Sequence, residues 1–150
     1  MTLKHVRGNL WAARDVDATV ITTNGTIRSD GWAVMGRGCA HEAATRFQHL
    51  QRRLGRRIRL RGNIVHTFGQ YRLMTFPVKY HWHEEADLDL IRHSCEQLRG
   101  LCYTLKMAKV AMPRPGCGNG RLDWDDVRPV LEETLGDSRT EFLVYTWKEN

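Results

Sequence analysis

Residues 113–124, PRPGCGNGRLDW, limit the fold more than any other stretch, because three glycines and two prolines fill a short gap between an apolar run and a helical pattern. The run before the gap, KVAM at 109–112, has the character of a short buried strand. After it, Asp123 has the character of a helix N-cap, with Asp126 three residues on as an acidic variant of the capping box. The local order is therefore strand, glycine loop, helix. Gly116, Gly118 and Gly120 allow the backbone to turn its N–H groups toward one point, and the helix behind adds a positive dipole end, which together hold a phosphate without a lysine. A tight strand-to-helix turn with no ligand is the competing interpretation, since the spacing is neither Walker A nor G-x-G-x-x-G.

A chain of 150 residues is the size of one domain and long enough for a core, so a single domain over 1–150 is expected. With 41% hydrophobic and 27% charged residues, neither a disordered nor a fibrous class is indicated. No apolar run approaches membrane-spanning length, and MTLKHVRGN lacks the apolar centre of a secretory signal, so a cytoplasmic protein with no membrane partner is expected. Cys39, Cys95, Cys102 and Cys117 form no C-x-x-C pair, which argues against a zinc ribbon and for reduced thiols. Cys117 has no histidine near it in sequence and fits as a small residue lining the turn. The net charge of +6 favours polyanionic partners without naming one.

Along the chain, 3–7 (LKHVR) suggests an edge strand ending at Gly8, and 8–18 (GNLWAARDVDA) is too polar and broken for core. The β-branched run 17–23 (DATVITT) predicts a strand buried on both faces. A loop over 25–37 carries a second glycine cluster, GWAVMGRG at 31–38. Ala40, Ala43, Ala44, Phe47, Leu50 and Leu54 then recur at helical steps and predict one helix whose start, at Gly38, is a second place for an anion. Within 51–62 stand six arginines, 52, 53, 56, 57, 59 and 61. They are either a contact for a phosphate backbone or a solvated helix end running into an exposed strand. Segments 63–68 and 71–78, split by Gly69-Gln70, predict a hairpin or neighbouring strands, with Pro77 marking the end of the second. The polar and aromatic segment KYHWHEE at 79–85 follows directly, where α/β proteins place chemistry. His81 and His83 lack a third ligand at a usual spacing, so no metal site is expected.

The stripe Leu88, Ile91, Cys95, Leu98, Leu101, Cys102 and Leu105 predicts a helix over 88–107, and Val127, Val130, Leu131 and Leu135 predict a last helix stopped by Gly136. Pro129 either kinks that helix or marks its true start after a tight turn at 124–127. The run 142–147 (FLVYTW) closes the chain as a strand, with Tyr145 and Trp147 available for stacking. Alternating strands and helices give a three-layer α/β/α sandwich with a mixed, mostly parallel central sheet, and both glycine loops then fall at the carboxyl edge. Two anion cradles on one edge suit a pyrophosphate, so the residues by themselves point to a nucleotide diphosphate binder.

TTNG at 22–25, AVMGRGCA at 33–40 and PRPGCGNGRLDW at 113–124 resemble the macro domain family. The similarity is to the branch of the terminal ADP-ribose protein glycohydrolase and the DNA ADP-ribosyl glycohydrolase antitoxins, and to standalone phage-type macro proteins. It runs over nearly the whole chain in order. It implies a monomeric macro domain that binds ADP-ribose or an ADP-ribosylated macromolecule, with no cofactor. By position, Asn9 and Leu10 match the adenine turn, with an amide at 9 where the family has an acid. Asn24 matches the distal-ribose asparagine. Met35, Gly36, Arg37 and Gly38 match the first diphosphate loop, and Pro113, Gly116, Cys117, Gly118, Asn119 and Gly120 the second. Tyr145 matches an aromatic at the nucleoside end, and Lys79 in FPVK the lysine that acts at the anomeric carbon. The protein glycohydrolase carries an aspartate where this chain has Gly120, so the resemblance favours removal of ADP-ribose from a nucleobase, with DNA held through the Arg52 to Arg61 cluster. Phosphatase action on ADP-ribose 1″-phosphate, involving His81 or a water, and non-catalytic reading of ADP-ribose are the alternatives.

Overall fold

A computed structural model describes residues 3–146, in which one six-stranded sheet is held between two helical layers. The strands are β1 (Leu3–Arg7), β2 (Ala18–Asn24), β3 (Thr67–Phe68), β4 (Leu73–Lys79), β5 (Lys109–Pro113) and β6 (Glu141–Thr146), in the order β1-β6-β5-β2-β4-β3. Every pairing is parallel except β3 with β4. The mixed, mostly parallel sandwich expected from the alternation of elements is the fold observed.

Successive side chains of a strand point to opposite faces, and β2 uses both. Val20 belongs to the core under α3 (Leu88–Thr104) and α4 (Trp124–Leu135), with Phe76, Val110, Met112, Ile91 and Leu131. Ile21 belongs to the opposite core under α1 (Gly38–Arg46) and α2 (Leu50–Arg61), with Leu73, Ala43, Leu50 and Leu54. Both residues are fully buried, each contributing roughly 1.5–3 kcal/mol by its transfer from water. That double burial is why the run shows no apolar-polar alternation in sequence.

Local expectations are corrected at several points. The single helix over Ala40 to Leu54 is two: α1 ends at Arg46, and His49, in the left-handed region at φ 71, starts α2. The Phe47 ring lies 6.1 Å from Trp11 and 5.2 Å from Tyr71, whose hydroxyl donates to the Gln48 carbonyl at 2.9 Å, so the chain is drawn out of the helix to fill that gap. The arginine run does not enter a strand, because α2 continues to Arg61. Pro77 does not end β4, which continues to Lys79. Thr75 N–H bonds to the His66 carbonyl and the Lys79 carbonyl accepts from Asn63, so this set of alternate residues faces the β3 side, where a missing N–H at 77 meets no strand. Segment 8–18 is not all solvent-facing: Leu10 is buried in a 3₁₀ turn, Leu10–Ala12.

Pro129 lies within one continuous helix, α4, capped by Asp123, whose carboxylate accepts from Asp125 N–H at 2.9 Å rather than through a reciprocal bond with Asp126. The preceding helix stops at Thr104, short of the expected 107, with Lys106 in the left-handed region. Trp147, expected to extend the last strand, lies outside the described residues. Among the described residues no helix is long and apolar enough to cross a membrane.

Candidate active site

Because β1, β2, β4, β5 and β6 run parallel, their carboxyl ends at Arg7, Asn24, Lys79, Pro113 and Thr146 share one edge of the sheet. At its centre β2 and β4 end side by side, with Asn24 opposite Lys79 after a one-residue irregularity at Thr23/Asn24. Asn24 fixes the loop that leaves β2: its side-chain oxygen accepts from Thr26 N–H at 2.9 Å and its amide donates to the Val34 carbonyl at 3.1 Å. One amide hydrogen stays available beyond those two bonds.

The Lys79 ammonium donates to the carbonyls of Trp82 and Asn119, each at 3.3 Å, tying the strand end to the segment after it and to the second glycine loop. Partial burial, followed by the positive charges of Arg121 and Arg37, holds its pKa below the ordinary lysine value. Among the described residues no carboxylate forms an ion pair with it. The amine is therefore easier to deprotonate than a surface lysine.

The two glycine loops meet. A Cβ built on Gly38, which takes φ +60, would stand 3.2 Å from the Asn119 amide nitrogen, so the first loop and the second are in contact across the edge. Gly116 and Gly120 are packed against Ala86, and a Cβ on Gly120 would come within 2.5 Å of the Gly116 carbonyl oxygen. Gly36 and Gly118 differ, since a Cβ on either meets nothing within 4 Å. Their lack of a side chain answers no demand of the protein's own packing. The N–H groups of Gly118, Asn119 and Gly120 form no hydrogen bond with another described residue, so the loop keeps free donors beside the exposed start of α1.

The remaining expected residues take varied positions. Asn9 caps the 3₁₀ turn by accepting from Trp11 N–H at 2.9 Å, and Gly8 N–H bonds to the Thr146 carbonyl, which fixes Asn9 at the carboxyl edge beyond β1. Leu10 and Met35 are buried, so their side chains serve the core while their backbone stays in the edge loops. Tyr145 pairs with Val6 and Pro113 and is half-buried near the end of β6. The Cys117 thiol, pushed up to about 11 by burial, donates to the Pro115 carbonyl at 3.5 Å and is protonated at neutral pH, as befits a residue lining a turn. His81 and His83 stack at 6.0 Å in the segment that follows Lys79, the His81 backbone N–H donating to a Glu84 carboxylate oxygen.

A cavity of about 360 Å³ adjoins Met35 and Gly36 on the α1 side, lined also by Arg28, His41 and Gln51. It shares only the first loop with the cluster around Lys79, and neither Asn24 nor Lys79 lines it. A second groove, about 260 Å³, follows α2 and is walled by Arg53, Arg56, Arg57 and Arg61 over Phe68. Arg57 lies over the Phe68 ring at 4.3 Å and donates to the Thr67 carbonyl, so an aromatic ring does underlie the cluster, supplied from β3 rather than from within the run. Among the described residues none of the six arginines pairs with a carboxylate.

Sequence reasoning missed Asn63, which donates to the Lys79 carbonyl at 3.0 Å, and Arg121, whose charge bears on the Lys79 amine. Asn63 is separated from Lys79 by β3 and β4 and carries no local signal. Arg121 follows the glycine loop and had a visible cue only in its position there.

No protein-family model matches the chain. It is 30% identical over 145 residues to a DNA ADP-ribosyl glycohydrolase of Thermus aquaticus, covering 89% of this chain and 38% of that relative. The chain thus spans well under half the length of that protein. It is 26% identical over 146 residues to the ADP-ribose glycohydrolase OARD1 of Bos taurus, covering 96% of this chain and 91% of the relative. Among solved structures, the macrodomain of Mycobacterium tuberculosis DarG superposes with a TM-score of 0.82 at 27% identity, over 95% of this chain and 96% of that one.

Proposed function

Starting from the fact that this chain belongs to the macrodomain family, in the branch of the DNA ADP-ribosyl glycohydrolases, we propose that it is an ADP-ribosyl hydrolase that frees ADP-ribose from a modified macromolecule, with Lys79 as the reacting residue. The observation that carries this reading is the placement of a lysine with a lowered pKa beside Asn24, between two touching glycine loops. The diphosphate takes the free amides of the second loop and the start of α1, both ligand-facing through Gly36 and Gly118, and Asn24 orients the distal ribose. Asn9 and Tyr145 hold the adenosine end.

The neutral Lys79 amine adds to C1″ as the bond from C1″ to the macromolecule breaks and its electron pair leaves with the departing group. The proton shed by the new C1″–N bond goes to that group, and water then cleaves C1″ from the lysine to release ADP-ribose. Nucleic acid is the proposed macromolecule, because the second loop has Gly120 where the protein glycohydrolase carries an aspartate and because the six arginines along α2 have no carboxylate partner among the described residues. The domain works in this reading as a monomer in the cytoplasm, without a cofactor.

Turnover of an ADP-ribosylated oligonucleotide and of an ADP-ribosylated peptide, set beside calorimetric titration with ADP-ribose, tests the proposal. Lys79→Ala is expected to abolish release while ADP-ribose still binds. Unchanged turnover in that variant removes Lys79 from the mechanism and turns attention to hydrolysis of ADP-ribose 1″-phosphate, and a wild type that binds without turning over is a reader. Because the neutral amine attacks, kcat/KM rises with pH up to a limb below the ordinary lysine value of 10.5. Arg121→Gln, which removes one of the charges that depress the amine, moves that limb to higher pH.

A further inference from the structure

The segment that follows Lys79 exposes two large aromatic residues within three positions of the reacting amine: Tyr80 is 50% and Trp82 52% exposed. Single exposed rings are ordinary, but two within three positions of a reacting group give apolar surface where a ligand would meet it. These are held. Gly25 N–H bonds to the Tyr80 carbonyl at 3.1 Å, Trp82 N–H donates to the Thr26 hydroxyl at 3.0 Å, and the Trp82 carbonyl accepts from Lys79 itself. The His83 ring meets Trp82 edge-on at 5.6 Å and stacks on His81 at 6.0 Å, leaving the indole braced from one side.

Charge of both signs surrounds this platform: Glu84, which accepts from His81 N–H, and Glu85 follow Trp82, while cations gather on the side of the amine. Arg37 and Arg121 act on the Lys79 amine, and Asn63, bonded to the Lys79 carbonyl, follows the end of α2, so that helix ends close to the strand end that carries the lysine, its groove running from there to Phe68, opposite Leu73 at the start of β4. Arg53, Arg57 and Arg61 recur every four residues, about 6 Å of helix rise apiece, a row of cations along one helix face leading toward the site. An exposed, braced ring and a basic track are the two elements by which proteins hold unpaired nucleic acid.

Resting on the nucleic-acid reading given above, we propose that Trp82, with Tyr80 and His83 beside it, is a stacking surface for the base next to the ADP-ribosylated nucleotide, and that it sets the preference for unpaired nucleic acid. A base in a duplex keeps its faces stacked on its neighbours and has none to offer.

Binding is the readout, so the test does not depend on turnover. The Lys79→Ala protein, alone and with Trp82→Ala or Trp82→Phe added, is titrated with free ADP-ribose and with a single strand carrying one ADP-ribosylated base. It is also titrated with the same strand whose neighbouring nucleotides are abasic. The ratio of strand affinity to ADP-ribose affinity is expected to fall about tenfold with Trp82→Ala, to be largely restored by Trp82→Phe, and to fall equally when the neighbours are abasic. Equal ratios for Trp82→Ala and its parent on the intact strand overturn the inference, as does equal loss with Trp82→Phe. Preference for the ADP-ribosylated peptide over the strand overturns it too. A wild type that releases no ADP-ribose but shows the expected ratios retires the hydrolase reading alone.

Discussion

Gly118 and Gly120 stand two positions apart and answer to different demands. Gly120 has no room for a methyl group, because the Gly116 carbonyl and the Ala86 side chain occupy that volume, so Gly120→Ala is expected to lower stability by about 1–3 kcal/mol in denaturant titration. Gly118 faces open space with an ordinary φ, so Gly118→Ala should melt like the wild type yet lose roughly tenfold in ADP-ribose affinity, because the new methyl stands where the diphosphate approaches. Normal ligand affinity in a folded Gly118→Ala protein would place the diphosphate elsewhere. Lys79 shows the same division between type and setting: its identity is local, but the lowering of its pKa depends on burial, Arg121 and Arg37, contributed by other parts of the chain.

At the scale of elements, α4 tolerates a proline in its sixth position because the residue is exposed and because the ends of the helix carry its stability elsewhere. The Asp123 cap bonds Asp125 N–H, and Val127, Val130, Leu131 and Leu135 are buried under the sheet. Pro129 is exposed and removes one bond to the Asp125 carbonyl, so Pro129→Ala is expected to raise stability by about 2–2.5 kcal/mol, the helix gain less the entropy returned to the unfolded chain. A lower melting temperature would mean that the ring fixes the direction of the helix. Helix α2 has the opposite problem, a glycine in its interior. A Cβ on Gly55 would lie 2.1 Å from the Gly31 carbonyl oxygen, so the helix approaches the 31–33 loop as closely as two backbones can, and the loop that presents Met35 and Gly36 is braced there.

Across the whole molecule the net charge of +6 is unevenly used: carboxylates pair with Arg28, Arg92, Arg99 and Arg128, while none among the described residues pairs with the arginines of α2. Affinity for a single strand should therefore fall with salt, and Arg53→Ala with Arg56→Ala should flatten the log-log slope by about 0.7 for each phosphate no longer neutralised. A slope unchanged by both substitutions would remove α2 from the interface. The alternation of elements, the parallel sheet and the glycine loops at its carboxyl edge were all legible in the residues, because periodicity and turn chemistry are local properties of a chain. The break at His49 was not, since the apolar pattern continues across it and only the Trp11–Phe47–Tyr71 contacts draw the chain aside. Nor was the continuation of β4 past Pro77, which depends on β3 beginning only at Thr67, opposite Met74, so that no residue of β3 stands opposite Pro77. The amino-acid sequence alone thus determined the order of the elements and placed glycine loops, an asparagine and a lysine at their ends. Tertiary structure alone decided that Lys79 faces Asn119, that Gly38 touches the second loop and that Asn63 holds the lysine's carbonyl, because contacts between segments far apart in the chain depend on how the sheet is ordered and leave no periodicity to read.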